Sequence, residues 1–138
     1  MTVLVAYDGS DPARKAVEYA FEEHSDDDVV LLRVVEVADG ATDAGVELVR
    51  ERLREQRKEI ATTTADQLEE LIERTDADVT LETVIGDPAR EIVAYGAEHD
   101  IDHIVVGSHG RGGVSRMLLG SVAETVARRS SIPVTIIR

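Results

Sequence analysis

The sequence has no cysteine and no tryptophan, and its aromatic residues are three tyrosines and one phenylalanine among 138 residues. Without cysteine the chain can form neither a disulfide nor a thiolate metal site, which favours an intracellular protein. So few aromatic rings leave little surface on which single-stranded bases could stack. We therefore expect no zinc, haem or flavin, and no binding of nucleic acid.

Basic residues are also scarce: 15 lysines and arginines face 28 aspartates and glutamates, and the formal net charge is −13. Such a surface repels nucleic acid and anionic membranes at long range. The opening apolar run, residues 2–7, is too short for a signal peptide or a membrane span. We expect a cytoplasmic protein. Only Lys15 and Lys58 are lysines, and this composition suggests a halophilic source, because high salt screens self-repulsion.

Along the chain, apolar patterns typical of strands alternate with patterns typical of helices. The length fits one domain, residues 1–138. Strands are predicted at residues 2–7, 29–35, 79–84, 103–107 and 133–138. Helices are predicted to begin near Ser10, Asp87 and Ser121, and a fourth, longer helix to span residues 44–75. This order indicates an α/β fold with a parallel sheet, in which ligands bind beyond the carboxyl ends of the strands.

The segment from Gly107 to Ser121 follows the fourth predicted strand and contains five glycines, two arginines and no acidic residue. It is not a P-loop, because the chain has no Gly-Lys pair, and the fingerprint G-x-G-x-x-G fails at Ser115. A nucleophile elbow is absent as well. Successive N–H groups in a glycine-rich turn and at a helix start can bind an anion, and Arg111 and Arg116 add positive charge. The segment therefore indicates phosphate or nucleotide binding.

The same residues also have simpler explanations. Ser121 followed by Glu124 forms a capping-box pattern that needs no ligand, and Asp8 before Gly9 is an ordinary turn residue. Asp8 at a strand end could equally orient Mg²⁺ on a nucleotide. Ser108 and His109 do not predict a catalytic triad, since adjacent loop residues rarely point together. The remaining histidines show no metal-ligand spacing; they are His24, His99 and His103.

The spacing Gly107-x-x-Gly110, nine residues, then Gly120-Ser121 resembles the G-2x-G-9x-G-[ST] motif of the universal stress protein family. The opening "VLVAYDGS" and the closing "PVTIIR" are similar to that family too, so the resemblance covers essentially the whole chain. It implies a single Rossmann-like domain with a five-stranded parallel sheet of order 3-2-1-4-5 and helices on both faces. It also implies ATP binding and a homodimer.

The resemblance further implies positions for the nucleotide site. Asp8 would lie near the ribose or its metal, and the backbone of Val34 would read the adenine. Ala6 stands where relatives often carry proline, and its backbone could still line the pocket. The site that the resemblance implies consists of Ala6, Asp8, Val34, Val106, Gly107, Ser108, His109, Gly110, Arg111, Gly112, Gly113, Gly120, Ser121, Val122 and Ala123.

Two main functions remain open at this point. The first is an ATP-binding stress-response or regulatory dimer that is not an enzyme, with at most very slow hydrolysis, because no general base is evident. The second is a dimeric scaffold of the same fold that does not use nucleotide. A hydrolase or phosphotransferase is the third and weakest reading. In each of the first two, the terminal strand from Pro133 to Arg138 is the expected dimer edge, since an apolar edge strand offers open N–H and C=O groups.

Overall fold

The computed structural model describes residues 1–36, 43–108 and 119–138. Ten elements follow one another along the chain. They are β1 (Thr2–Ala6), α1 (Asp11–Glu23), β2 (Asp28–Val35), α2 (Asp43–Gln67), α3 (Glu69–Arg74), β3 (Asp78–Ile85), α4 (Pro88–Glu98), β4 (His103–Gly107), α5 (Ser121–Arg129) and β5 (Val134–Ile137).

The five strands form one parallel sheet in the order β3-β2-β1-β4-β5. This confirms the α/β fold and the expected strand order. β1 is central and fully buried over Val3, Leu4 and Val5, as its continuous apolar run predicts. β3 lies at one edge, in agreement with its alternating pattern, and β5 lies at the other.

Helices cover both faces of the sheet. Alternate residues of each strand point to opposite faces, and each set packs with the helices on its own face into a separate core. One core packs α1 and the α2–α3 region against residues such as Val3, Val5 and Leu31. The other packs α4 and α5 against residues such as Leu4 and Leu32. The strand order reverses between β1 and β4: the connections on the β2 side of β1 run over one face and those that lead to β4 and β5 run over the other. Ligand crevices form at such a switch point.

The prediction of one continuous helix over residues 44–75 is wrong, because Leu68 interrupts it and separates α2 from α3. The guanidinium of Arg14 donates to the carbonyl oxygen of Gln67 at 2.9 Å, an oxygen that a continuous helix would offer to Leu71. Leu68 is itself fully buried. Packing against α1 thus ends the regular helix where periodicity alone predicts continuation.

Side-chain caps set the starts of two helices where the sequence predicts them. The Ser10 hydroxyl accepts from the N–H of Ala13 at 3.3 Å, and the Asp87 carboxylate accepts from Arg90 N–H at 3.1 Å. A proline stands in the first turn of each helix, where its missing N–H costs no hydrogen bond. In the part of the chain that the structure describes, no helix is long and apolar enough to cross a membrane.

Candidate functional site

A cleft of about 530 Å³ opens at the carboxyl ends of β1, β2 and β4. Ten of the fifteen residues predicted for the nucleotide site line it. They are Ala6, Asp8, Val34, Val106, Gly107, Ser108, Gly120, Ser121, Val122 and Ala123. The other five, His109, Gly110, Arg111, Gly112 and Gly113, lie outside the described residues. The fold therefore brings both ends of the glycine segment to one place.

The two ends of that segment are held together through the backbone of Ser108. Its carbonyl oxygen accepts from the N–H of Gly120 at 2.6 Å, and its own N–H donates to the carbonyl of Ile137 at 2.7 Å. Ser108 is only 4% exposed. These bonds fix the start of α5 directly beside the end of β4, whatever path the intervening residues take.

The amino end of α5 is open towards the cleft. Gly120 is the N-cap and has no side chain, and no side-chain oxygen from the described residues caps the first turn. The capping box predicted for Ser121 and Glu124 is therefore wrong: Ser121 is already the first helical residue, and Glu124 instead pairs with Arg128 at 2.7 Å. The N–H groups of the first turn have no acceptor within the helix, and together with the helix dipole they favour an anion.

Gly107 lines the cleft and is also needed for packing. A Cβ placed on Gly107 would lie 2.7 Å from the carbonyl carbon of Pro12. Because that contact is with backbone, it cannot be relieved by rotating a side chain. The end of β4 thus lies directly against the start of α1, and this gives Gly107 a packing role that the motif does not reveal.

The backbone of Val34 faces the cleft beyond the end of β1. The ladder between β1 and β2 ends at Ala6 opposite Leu32. The carbonyl of Val35 accepts from the N–H of Gly86, on the β3 side, at 3.0 Å. Because successive residues of a parallel strand direct their backbone groups to opposite neighbours, the N–H and C=O of Val34 point to the β1 side. No residue of β1 is paired with Val34 in that ladder. One donor and one acceptor of the main chain are therefore presented to the cleft.

Asp8 has the turn role that its sequence context predicts. One carboxylate oxygen, Oδ1, accepts from the N–H of Ser10 at 2.9 Å, and Gly9 adopts a positive φ of 86°. The side chain also lines the cleft. Both readings of Asp8 thus remain compatible with its position, because a turn-forming carboxylate keeps a second oxygen.

Several cleft residues were not predicted. Pro88 and Ile92 come from the start of α4, while Arg33, Val35 and Glu36 come from the end of β2. Pro88 and Ile92 carry no chemical signal of their own, and only the packing of α4 brings them to the cleft. The sequence does carry a signal for Arg33, because a charged residue within an otherwise apolar strand indicates that this part of the strand is exposed.

The described histidines lie away from the cleft. His103 bonds Thr135 through Nε2 at 2.6 Å, and its ring lies 5.7 Å from that of His24. Burial lowers the pKa of His103 below 6.5, and the charge of His24 lowers it further. His99 stacks on Tyr95, whose pKa is raised by burial and by Glu82. Within the described ranges no group of three or more acidic or histidine side chains could hold a metal ion.

Comparison with known proteins agrees with this architecture. The model of the universal stress protein family matches residues 1–138. The chain belongs to the universal stress protein family. It is 33% identical to universal stress protein YxiE of Bacillus subtilis, with 99% of this chain and 97% of that protein covered. A universal stress protein of Mycobacterium bovis is 36% identical, but the chain spans only 45% of its length.

Solved structures of the family share the fold. Universal stress protein UspA from Lactobacillus plantarum aligns with a TM-score of 0.81 at 27% identity, covering 100% of this chain and 97% of that one. A universal stress protein solved in complex with cAMP aligns with a TM-score of 0.69 at 26% identity, covering 100% and 96%. That relative binds an adenine nucleotide within the same architecture.

Proposed function

We propose that this universal stress protein binds an adenine nucleotide, ATP with Mg²⁺, across the carboxyl ends of β2, β1 and β4, and acts as a nucleotide-dependent regulatory dimer rather than an enzyme. One observation carries the proposal: the unpaired backbone edge of Val34 and the open amino end of α5 lie in the same cleft. The relative solved with cAMP supports it.

The separation of these two features suits a nucleotide. β2 and β4 are both hydrogen-bonded to β1, so their ends lie two strand spacings apart, roughly 10 Å. A base against Val34 therefore leaves its phosphates beside Ser121. The ribose would lie between them, over the end of β1 beside Asp8.

The base would lie between apolar walls and be read by main-chain groups. Ala6, Val34 and Val106 from the sheet and Ile92 from α4 line that part of the cleft, which favours a flat apolar ring. Adenine offers an amino donor next to a ring acceptor, which matches one C=O and one N–H of Val34. Guanine offers the reverse arrangement, so we expect the site to prefer adenine.

The phosphates would be held by backbone donors of α5. The N–H groups of Ser121, Val122 and Ala123 belong to its first turn, and the Ser121 hydroxyl adds a donor that caps nothing. Mg²⁺ would arrive with the triphosphate, and the remaining carboxylate oxygen of Asp8 could meet its hydration shell or the ribose. His109 to Gly113 are proposed to complete the cradle.

Isothermal titration calorimetry tests the proposal. ATP with Mg²⁺ should bind, and GTP should bind about tenfold or more weakly, since mismatched buried polar groups carry that order of penalty. The scaffold alternative predicts no heat with either nucleotide. Absence of ATP binding at concentrations on the order of millimolar, a range that still detects weak complexes, would refute nucleotide binding.

The dimer is proposed to form along β5. The carbonyls of Pro133 and Ile137 accept from N–H groups at the two ends of the β4 segment. Because successive residues direct their backbone groups to opposite sides, those of Val134 and Ile136 point outward. A second copy of the chain could pair with them there. Light scattering on Ile136→Pro, which removes an outward donor, should show monomer. The matched control Leu81→Pro, on the opposite edge strand, should stay dimeric. The reverse pattern would place the interface on β3.

A further inference from the structure

A second cavity, of about 310 Å³, adjoins the nucleotide cleft. Two residues of β2, Arg33 and Val35, line both cavities. The remaining lining comes from α2 and is mostly polar: Gln56, Glu59, Ile60 and Thr63. Arg33 and Val35 therefore lie between the nucleotide cleft and a second, mostly polar space.

Arg33 is the one cation among the described residues that line the cleft. It is half-buried, its Cζ lies 6.0 Å from the centre of the Tyr7 ring, and Nη1 donates to the Thr64 hydroxyl at a long 3.4 Å. No carboxylate in the described part of the chain forms an ion pair with it. In a chain with a net charge of −13, a half-buried arginine without such a partner is positioned to meet an anionic ligand.

The position of Arg33 relative to the nucleotide follows from the sheet. Val34 would hold the base, and Tyr7 and Asp8 directly follow β1, where the ribose would lie. Arg33 directly precedes Val34 on β2 and lines the same cleft, so it lies on the base and ribose side of the cleft, two strands away from the phosphates at α5. In dinucleotide-binding α/β proteins, an arginine near the ribose accommodates a phosphate on it.

We propose that Arg33 is a specificity-determining residue, and that it selects adenine nucleotides that carry a second anionic group on the ribose, at the 2′ or 3′ oxygen. This rests on the proposed function. The added phosphate would enter the second cavity and form charge-assisted hydrogen bonds with the guanidinium. An unmodified ribose would leave both the cavity and the guanidinium unused.

Three carboxylates act against this preference. Asp8 and Glu36 line the cleft, and Glu59 lines the second cavity. The side chains of Glu36 and Glu59 are exposed, so water and salt screen their charges more than that of the half-buried arginine. Asp8 is half-buried, and one of its carboxylate oxygens already accepts from the N–H of Ser10. A carboxylate that reads the ribose hydroxyls would instead favour the unmodified nucleotide, and the experiment separates these outcomes.

Calorimetry with three probes tests the proposal: AMP, adenosine 2′,5′-bisphosphate and adenosine 3′,5′-bisphosphate, at one ionic strength. One of the bisphosphates should bind the wild-type protein about tenfold or more tightly than AMP, the scale of a charge-assisted hydrogen bond. Arg33→Gln should reduce that ratio to near one. Arg33→Lys, which keeps the charge, should retain part of the preference.

Arg14→Gln is the matched control, because Arg14 also contacts the α2 region, through Gln67, but lines neither cavity. It should keep the full preference, and circular dichroism should show all variants folded. Equal wild-type affinity for AMP and both bisphosphates, or a preference that survives in Arg33→Gln, would overturn the role of Arg33 alone. Failure of AMP and ATP to bind at all would overturn the proposed function as well.

Discussion

The two ends of the same sheet differ in how their backbone groups are used. At the amino end the groups are bonded within the chain: Thr2 N–H donates to the Asp102 carboxylate at 2.8 Å, Asp102 N–H to the Thr2 carbonyl at 2.9 Å, and Asp28 N–H to the Met1 carbonyl at 3.1 Å. At the carboxyl end, Val34 and the first turn of α5 face a cleft.

Unequal strand lengths produce the difference. β2 runs past the last residue of β1, so a part of its edge has no neighbour. Helices that begin at the carboxyl end direct unpaired N–H groups towards the same space. A parallel sheet with a switch point thus makes a polar crevice at one end only, while acidic residues such as Asp28 and Asp78 begin the strands at the other.

The largest expected effect is on the packing that shapes the open end. Gly107→Ala should lower the free energy of unfolding by about 2–3 kcal/mol, because its Cβ would meet the Pro12 backbone and the two segments must move apart. Gly96→Ala is the matched control: its Cβ would be 3.1 Å from the flexible end of Ile104, and alanine favours a helix. It should stay within about 1 kcal/mol of wild type. Urea unfolding measures both, and equal stabilities would show that the contact with Pro12 is not constraining.

A smaller effect is expected at the helix start. Ser121→Pro removes one N–H of the proposed phosphate site without harming α5, because proline suits the first helical position and Gly120 is extended, with ψ of 157°. ATP should bind about tenfold more weakly, the scale of one hydrogen bond to a charged group. Calorimetry gives the affinity.

Ser121→Ala separates the hydroxyl from the backbone donor. It should weaken ATP binding less than Ser121→Pro and change the free energy of unfolding by under about 0.5 kcal/mol, whereas loss of a capping serine costs about 1 kcal/mol. A larger loss of stability would restore the capping box and argue against an open amino end.

The smallest expected effect is on the pH dependence of stability, and it concerns His103 at the amino end of the sheet. The pKa of His103 is lower in the folded protein than its ordinary value of 6.5, so the unfolded chain binds more protons between those two values. Stability should therefore fall as the pH drops through about 6.5 and towards the lower folded-state pKa. Urea midpoints at about pH 7.5 and about pH 5.5, which bracket the unfolded value, should differ less for His103→Gln. An unchanged difference would assign the pH dependence to other groups.

Much of the fold follows from local sequence patterns. The apolar run of β1 and the Ser10 and Asp87 caps identify their elements correctly, because each depends on residues close in sequence. The spacing of Gly107 and Gly120 also identifies both ends of the cleft.

What the sequence does not predict depends on contacts between distant segments. The helix breaks at Leu68 where Arg14, more than fifty residues earlier, bonds the carbonyl of Gln67, and the need for glycine at 107 results from Pro12. The open start of α5 is hidden behind a Ser121–Glu124 pattern that satisfies the capping rule without forming the cap. Arg33 gains its place in two cavities only once α2 packs beside β2.

Amide chemical shifts on addition of ATP with Mg²⁺ test the central claim most directly, because they report both ends of the sheet in one ¹H–¹⁵N spectrum. The N–H signals of Val34, Ser121, Val122 and Ala123 should move in a saturable way, while those of Thr2, Asp28 and Asp102 should stay in place. Signals at the carboxyl end that remain unmoved at saturating nucleotide, or shifts confined to the amino end, would contradict nucleotide binding in this cleft.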